Sequence, residues 1–432
     1  MTVNETRTES GHDTRPAPDE NVWPGLSAPP AGLRATVSAR VVDRLLRRAA
    51  GTLAVRIEYP DGTLVGGAVD DPAAPRMILR DPQAFARRVG RSGLIGFGES
   101  YMAGDWTSPD LSAVLTVFAQ QMASLVPKPL QWLRALVLAS RPSSENGTAE
   151  NARTNVSRHY DLSNELFAAF LDDTMTYSSA VFGELDPPPR FDDLAAAQRA
   201  KIDRLLDAAR VGPGSRVLEI GTGWGELCIR AAERGATVRS ITLSSEQREL
   251  ARERVAAAGY ADSVQIDLLD YRSLDGSYDA VVSVEMIEAV GERYWRDYFR
   301  VIDDVLAPGG AVAIQAITMP HDRMLATRRT YTWVHKYIFP GGMLPSHRAL
   351  DDVTRQHTSL RIVDTASLGP HYAETLRLWK TRFAAAADRV AALGFDDTFR
   401  RMWHFYLSYS EAGFRSGYID VEQITFARTE SE

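Results

Sequence analysis

Between residues 215 and 318, apolar runs of strand length alternate with spacers of helix length. The strand-length runs are Arg216–Ile220, Thr237–Thr242, Val264–Leu268, Tyr278–Val284 and Ala311–Ile314. The spacers predict helices over residues 226–235, 246–258 and 293–306. Two more strand candidates follow, Leu360–Asp364 and Val421–Phe426. Apolar strands separated by helices are typical of a parallel sheet covered on both faces. The pattern predicts a doubly wound, Rossmann-like α/β domain.

The length of 432 residues leaves room for a smaller unit before this domain. Five prolines among charged and small residues predict a disordered tail over residues 1–30. Residues 31–140 carry thirteen basic and nine acidic side chains, although the whole chain has a net charge of −7. They are predicted as a separate basic α+β unit that associates with lipid or a membrane. Residues 141–150 have the composition of a linker, and residues 151–432 form the predicted α/β domain.

Within the basic unit, helical spacing predicts a helix from Leu33 to Ala50, followed by a β-hairpin around Pro60-Asp61-Gly62. The glycine-spaced stretch Gly93–Trp106 is predicted as a close-packed turn. Residues 111–139 are apolar with a helical period. They fit either a pair of core helices or a surface that contacts lipid.

The single cysteine, Cys228, excludes an internal disulfide and a multi-cysteine zinc site, so no metal is predicted and a reducing compartment is expected. The N-terminus lacks an apolar core, and no run of eighteen apolar residues occurs. We therefore expect a cytoplasmic protein whose membrane contact is peripheral, at the inner face of the membrane. The many arginines do not by themselves predict a nucleic-acid partner.

The first strand of the predicted sheet ends in a glycine loop, Glu219-Ile-Gly221-Thr-Gly223-Trp224-Gly225. Glycines let the backbone turn sharply and approach a ligand at a helix N-terminus. A dinucleotide fingerprint would have its third glycine at Glu226, so no pyrophosphate site is predicted. The form of this loop resembles that of S-adenosylmethionine-dependent methyltransferases, which implies this cofactor.

Polar and aromatic residues follow the next two strands at the same edge. After the second strand, Thr242, Ser244 and Gln247 flank Leu243 and replace the acid that usually holds the ribose hydroxyls. After the third strand, Asp270 is placed to accept from the adenine amino group and Tyr271 to stack on the ring. Together with the glycine loop, these residues are the predicted cofactor contacts.

Several motifs sharpen this prediction. They are Arg158–Phe167, Phe170–Asp172, Met175–Ala180, Lys336–Pro345, Gly369–Leu376 and Gly98–Trp106. Taken in chain order, they resemble the cyclopropane fatty acyl phospholipid synthases and the related mycolic acid methyltransferases, over about residues 35–428. The resemblance implies that Tyr177 and Ser178 contact the cofactor and that His159 belongs to the catalytic site.

Enzymes of this family add a methyl-derived carbon to the double bond of an unsaturated acyl chain, and a base then removes one proton. In the cyclopropane synthases the resemblance implies a bicarbonate base held by a cysteine, a glutamate, a histidine, an isoleucine backbone and a tyrosine. Three of these positions are kept here, as Glu288, Ile317 and Tyr372. The cysteine position holds Ser179 and the histidine position holds Gln315.

A third departure suggests a replacement for bicarbonate. Where the family has a glycine three residues before its glutamate, this sequence has Glu285. We expect the Glu285 carboxylate to take the place of bicarbonate and act as the base, hydrogen-bonded by Gln315 and Ser179. The alternative is that Glu285 faces solvent at the start of an acidic helix.

The cation formed by methylation has two fates: direct proton loss closes a cyclopropane, whereas a hydride shift before proton loss leaves an exocyclic methylene. The Glu285–Gly291 motif, with glutamine at the histidine position, looks most like the actinobacterial branch that makes 10-methylene and then 10-methylstearoyl (tuberculostearoyl) lipids. A cyclopropane synthase, a lipid-binding protein that has lost catalysis, and a methyltransferase of small molecules are the alternatives.

The resemblance also implies partners. The substrate would be an unsaturated phospholipid at the membrane surface, and an FAD- or NADPH-dependent reductase would act on the methylene product. Whether that reductase binds directly, and whether the chain forms a homodimer, stay open at this point.

Overall fold

The computed structural model describes residues 17–121 and 163–428. Its N-terminal part contains a four-stranded sheet in the order β2-β1-β3-β4, in which β1 pairs antiparallel with β2 and parallel with β3. The strands are β1 (Arg56–Glu58), β2 (Leu64–Val65), β3 (Arg76–Leu79) and β4 (Trp106–Thr107). The helices are α1 (Leu33–Ala50), α2 (Pro82–Ser92), α3 (Leu94–Ala103) and α4 (Leu111–Gln120).

The larger sheet has seven strands in the order β10-β11-β9-β8-β5-β6-β7. The strands are β5 (Arg216–Ile220), β6 (Thr237–Thr242), β7 (Val264–Leu268), β8 (Tyr278–Val284), β9 (Leu306–Thr318), β10 (Leu360–Ser367) and β11 (Asp420–Arg428). Strands β5 to β9 are parallel, and β11 and β10 are added antiparallel at one edge. The doubly wound α/β fold is confirmed.

Helices connect these strands and extend the chain beyond them. They are α5 (Asn164–Phe167), α6 (Leu194–Ala208), α7 (Glu226–Glu233), α8 (Ser245–Ala257), α9 (Ile287–Val290), α10 (Trp295–Val305), α11 (His321–Thr327), α12 (Trp333–Tyr337), α13 (His347–His357), α14 (Gly369–Ala385), α15 (Ala387–Ala392) and α16 (Asp397–Arg415). From β5 the chain continues to β6 and β7 on one side of β5, and then crosses to β8 on the other side of β5. This reversal opens a crevice at the carboxyl ends of β5 and β8, where open α/β sheets bind ligands.

The prediction of a disordered tail over residues 1–30 is wrong for residues 17–30. Leu26 is buried in the core, and the Arg88 guanidinium donates to the carbonyls of Gly25 and Leu26 at 3.1 and 2.8 Å. The Trp23 indole donates to Asp396 at 2.7 Å. The polar composition of the segment gave no indication that Leu26 and Trp23 anchor it. The contacts of these two residues are enough to order the segment.

The prediction of a turn over Gly93–Trp106 is also wrong, because the stretch forms α3 and β4. The two glycines inside α3 allow close packing. A Cβ on Gly96 would lie 2.0 Å from the Arg88 carbonyl oxygen, and one on Gly98 would lie 2.5 Å from the Trp333 ring. Glycine inside a helix is unfavourable by itself, so these contacts account for its presence.

The N-terminal part shares one hydrophobic core with the C-terminal helices. Trp106 from β4, Trp379 from α14 and Trp403 from α16 are all fully buried in it. Across the same boundary, Ser112 donates to Glu411 at 2.7 Å. The predicted linker at 141–150 and most of the predicted helix pair, residues 122–139, lie outside the described residues. Among the helices that are described, none is long and apolar enough to span a membrane.

Candidate active site at the carboxyl edge of the sheet

Glu285 follows β8 at the crevice and is held in an unusual backbone conformation. Its φ is +52°, in the left-handed region that favours glycine. A residue with a Cβ pays about 1–2 kcal/mol there. Backbone strain of this kind persists only where the surrounding structure enforces it, and it is concentrated at functional sites.

The Glu285 side chain is half-buried at the crevice, and its carboxylate accepts three hydrogen bonds. The Ser179 backbone N–H and the Gln315 side-chain amide donate to Oε1 at 3.0 and 2.8 Å. The Tyr372 hydroxyl donates to Oε2 at 2.7 Å. Ser179 therefore contributes its backbone, while its hydroxyl donates to the Ala180 carbonyl at 3.0 Å. These contacts exclude the alternative in which Glu285 faces solvent.

A second layer of side chains holds this group in place. Gln423 on β11 donates to Gln315 Oε1 at 3.0 Å and so directs the Gln315 amide nitrogen toward Glu285. Gln198 on α6 donates to the Ser178 carbonyl at 2.9 Å and steadies the segment that carries the Ser179 N–H. Buried polar groups bonded on both sides in this way form a rigid network.

Lys201 is a buried cation beside the network. It is 1% exposed, and its ammonium donates to the Ser178 hydroxyl at 2.6 Å. Burial lowers the pKa of Lys201 to about 8, and the charges of Glu285, Asp172 and Glu219 oppose that shift. For the acid Glu285 burial has the opposite effect and raises the pKa. The hydrogen bond from the Ser179 N–H and the charge of Lys201 lower the pKa of Glu285 and so oppose this shift.

Glu288 is a weaker anion than Glu285. Its Oε1 accepts from the Ile317 N–H at 2.5 Å, while its buried Oε2 has no hydrogen-bond partner. Burial, and then the charge of Glu285, raise the pKa of Glu288 to about 8. The greater number of donors to Glu285 therefore favours ionisation of Glu285 over ionisation of Glu288. Burial also raises the pKa of Tyr372 well above its usual range, which keeps its hydroxyl a neutral donor.

The three glycines of the loop after β5 serve different purposes. A Cβ on Gly221 would lie 2.4 Å from Met286, and one on Gly225, at the start of α7, would lie 3.2 Å from Ala251. Gly223 has φ +52° and nothing within 4 Å of its Cβ position. Only Gly223 therefore leaves open space beside the loop.

Several predicted cofactor contacts bond to one another. Thr242 donates to Gln247 at 3.2 Å, and Ser244 caps α8 by accepting from the Gln247 N–H. Leu243 between them is half-buried. Glu219 accepts from Cys228 and Ser240 at 2.8 and 2.5 Å. Burial raises its pKa to about 7.

The aromatic candidates are packed inward. Trp224 donates to Asn164 at 2.8 Å, and the Tyr177 and Tyr406 hydroxyls are 2.8 Å apart. The ring of Tyr271 meets Tyr298 edge-on at 5.2 Å, and the neighbouring Asp270 pairs with Arg272 at 3.0 Å. The predicted stacking and adenine contacts of Asp270 and Tyr271 stay predictions.

His159 lies outside the described residues. Sequence analysis missed Lys201, Gln198 and Gln423. The first two had a detectable signal, because Leu194, Gln198, Lys201 and Leu205 follow the helical spacing of one buried face of α6. Polar residues at such positions indicate a buried polar site. In the described ranges, no group of histidine, cysteine or acidic side chains is arranged to hold a metal.

The chain is similar to several known proteins. Residues 148–424 match the family described as mycolic acid cyclopropane synthetase. The chain is 60% identical over 430 residues to the tuberculostearic acid methyltransferase UfaA1 of Mycobacterium tuberculosis, covering 99% of both chains. It is 32% identical over 365 residues to the cyclopropane-fatty-acyl-phospholipid synthase of Escherichia coli K12, covering 84% of this chain and 90% of that protein.

A solved structure is also similar. The crystal structure of mycolic acid cyclopropane synthase CmaA1 with SAH and CTAB superposes with a TM-score of 0.58 and 31% identity, covering 66% of this chain and 98% of that one.

Proposed function

Because the chain belongs to the mycolic acid cyclopropane synthetase family, we propose that it converts the double bond of an oleoyl-type phospholipid chain into a 10-methylene branch. The chain is an S-adenosylmethionine-dependent methyltransferase of unsaturated fatty acyl chains. The product, the lipid class and the identity of the base are the proposal. The observation that carries it is the half-buried Glu285 carboxylate with its three donors.

The residues at the crevice fit the cofactor. The open space beside Gly223 lies where the backbone can approach a ligand closely. Gly223, Leu243 and Ser178 would hold the cofactor, with Thr242 and Gln247 as the ribose side of the site. When bound, S-adenosylmethionine supplies an electrophilic methyl group.

The proposed reaction balances with one base. The π electrons of the alkene form a carbon–carbon bond to the methyl group as its bond to sulfur breaks, and the neighbouring alkene carbon becomes a cation. A hydride moves from the methylated carbon to that cation. Glu285 then removes one proton from the new methyl group, and its electron pair forms the exocyclic double bond. An anionic carboxylate in a buried site also stabilises the cation before the proton is lost.

The contacts of Glu285 explain why bicarbonate would not be needed. The Ser179 N–H, Gln315 and Tyr372 donate to Glu285, and the Ile317 N–H donates to Glu288. These groups correspond to four of the five bicarbonate ligand positions implied by the family. In this chain the carboxylates of Glu285 and Glu288 already accept the hydrogen bonds that these groups would donate to bicarbonate.

We further propose which reaction follows this one and where the enzyme acts. A 10-methyl branch contains two electrons more than the methylene, so an FAD- or NADPH-dependent reductase must follow. Because the proposed substrate is a phospholipid, we propose that the enzyme acts at the surface of a membrane, on its cytoplasmic face. The 60% identity to a tuberculostearic acid methyltransferase supports this sequence of reactions.

The open side of the glycine loop can be tested with a matched pair of variants. Gly223→Ala should weaken S-adenosylmethionine binding at least tenfold, measured by calorimetry, because the new Cβ enters the space beside the loop. Gly214→Ala is the control, because Gly214 also has a positive φ, +81°, and nothing within 4 Å of its Cβ position. Equal affinities in the two variants would place the cofactor elsewhere.

The base is tested by turnover with bicarbonate removed. Wild-type turnover should be unchanged, and Glu285→Gln should be about 10²–10⁴-fold slower because it has lost its general base. Cofactor affinity should stay the same in Glu285→Gln, which controls for folding. Glu285→Gly, with the family's glycine restored, is a second variant in which added bicarbonate should recover part of the rate. A wild-type enzyme that stops without bicarbonate would contradict the assignment.

The product distinguishes the two fates of the cation. Lipids from an oleate-containing host that expresses the chain should contain 10-methylenestearoyl groups by mass spectrometry after derivatisation of the double bond. Addition of an NADPH-dependent reductase should convert them into 10-methyl groups. A cyclopropane, which has the same mass but resists both treatments, would assign the chain to the cyclopropane synthases.

A further inference from the structure

The outward face of α1 carries aliphatic side chains that the core does not use. Leu33, Val37, Val41 and Leu45 follow one another at intervals of four residues, so they form one stripe along the helix. Their exposed fractions are 85%, 57%, 53% and 38%. Scattered exposed aliphatic residues are ordinary, but a stripe of four on one helix indicates an interaction surface.

Arginines lie between these aliphatic side chains. Arg34, Arg40, Arg44 and Arg48 are exposed on the same face of α1. None of these four makes an ion pair with a carboxylate within residues 17–121 and 163–428. The one acid of the helix, Asp43, is turned away from them and is bonded by Tyr59 and Arg47 at 2.9 Å each. The outward face therefore combines aliphatic groups with uncompensated positive charge.

The opposite face of α1 fixes the orientation of the helix. Ala50 is fully buried, and Val42 and Leu46 pack against the core. Gly90 of α2 lets that helix approach closely, because a Cβ there would lie 2.8 Å from the Ser38 hydroxyl. The helix cannot turn its stripe inward without losing these contacts.

We propose that this face of α1 seats the enzyme on an anionic phospholipid surface, an inference that rests on the proposed phospholipid substrate. Aliphatic side chains enter the boundary between headgroups and acyl chains, while arginines bond the lipid phosphates. A nucleic acid would leave the aliphatic stripe exposed to water. A second copy of this face would bring like charges together.

The position of α1 suits this role. Its neighbour α2 leads into α3, whose Glu99 accepts from Lys336 and Tyr337 on α12 at 2.5 and 2.9 Å. Six residues after Tyr337, the Met343 N–H donates to the Glu288 carbonyl at 2.8 Å. A short chain of contacts thus connects the proposed membrane side with the active site.

The test uses the full chain, because removing the N-terminal unit would open the shared core. The probes are sedimenting vesicles of dioleoyl-phosphatidylcholine, with or without dioleoyl-phosphatidylglycerol. Two variants address the face, V37S/V41S and R40Q/R44Q. A matched control, V363S/R300Q, changes an exposed valine and an exposed arginine on other elements.

Wild type and the control should bind the anionic vesicles, and more weakly as salt rises. Both α1 variants should bind at least about tenfold more weakly, since each basic residue near such a surface contributes appreciably. All four proteins should bind S-adenosylmethionine equally and turn over the same lipid equally in detergent micelles. That micelle assay separates the two proposals. Micelle turnover without vesicle selectivity overturns only this inference. Vesicle selectivity that depends on α1, without any micelle turnover, overturns the proposed function and leaves the membrane contact of α1 in place.

Other outcomes would also overturn the inference. Unchanged vesicle binding by the α1 variants would do so, as would equal wild-type binding to neutral and anionic vesicles. A shift of the α1 variants from dimer to monomer in analytical ultracentrifugation, with vesicle binding retained, would assign the face to a second copy of the chain.

Discussion

A single half-buried carboxylate, that of Glu285, organises the proposed active site of this chain. Glu285 needs its three donors, because a buried anion without them would take up a proton. Those donors come from separate parts of the chain: Ser179 precedes α6, Gln315 lies on β9 and Tyr372 lies on α14. The order of the strands in the seven-stranded sheet and the position of α14 are therefore needed to stabilise the negative charge of Glu285. They are also needed to form the hydrophobic core.

Glu285 accepts more hydrogen bonds than Glu288, and this difference determines which of the two carboxyl groups ionises more readily. Two carboxylates in one buried site cannot both ionise easily, and the one with more donors keeps the charge. Glu285 has three donors and the nearby Lys201 charge, whereas Glu288 has one N–H. A positive centre formed beside the pair would favour ionisation further. A glycine, which the resemblance to the family implies at this position, would adopt the positive φ of Glu285 without this strain.

Much of this could be predicted from the sequence. Strands β5 to β8 have the predicted bounds, because buried parallel strands leave continuous apolar runs. Glu285 could be placed because it ends such a strand. Gln423 could not, since it comes from the antiparallel strand β11, more than a hundred residues away. The anchoring of Leu26 and the helical form of α3 depend on contacts with Arg88 and Trp333, which no local pattern contains.

The charge state of Glu285 in the folded enzyme is the central claim. Infrared difference spectra of protein labelled with ¹³C-glutamate, recorded at neutral pH, can assign it. The account predicts that the signal missing from Glu285→Gln is that of an ionised carboxylate and that the signal missing from Glu288→Gln is that of a protonated carboxyl group. The reverse assignment, with Glu285 protonated and Glu288 ionised, would contradict the account.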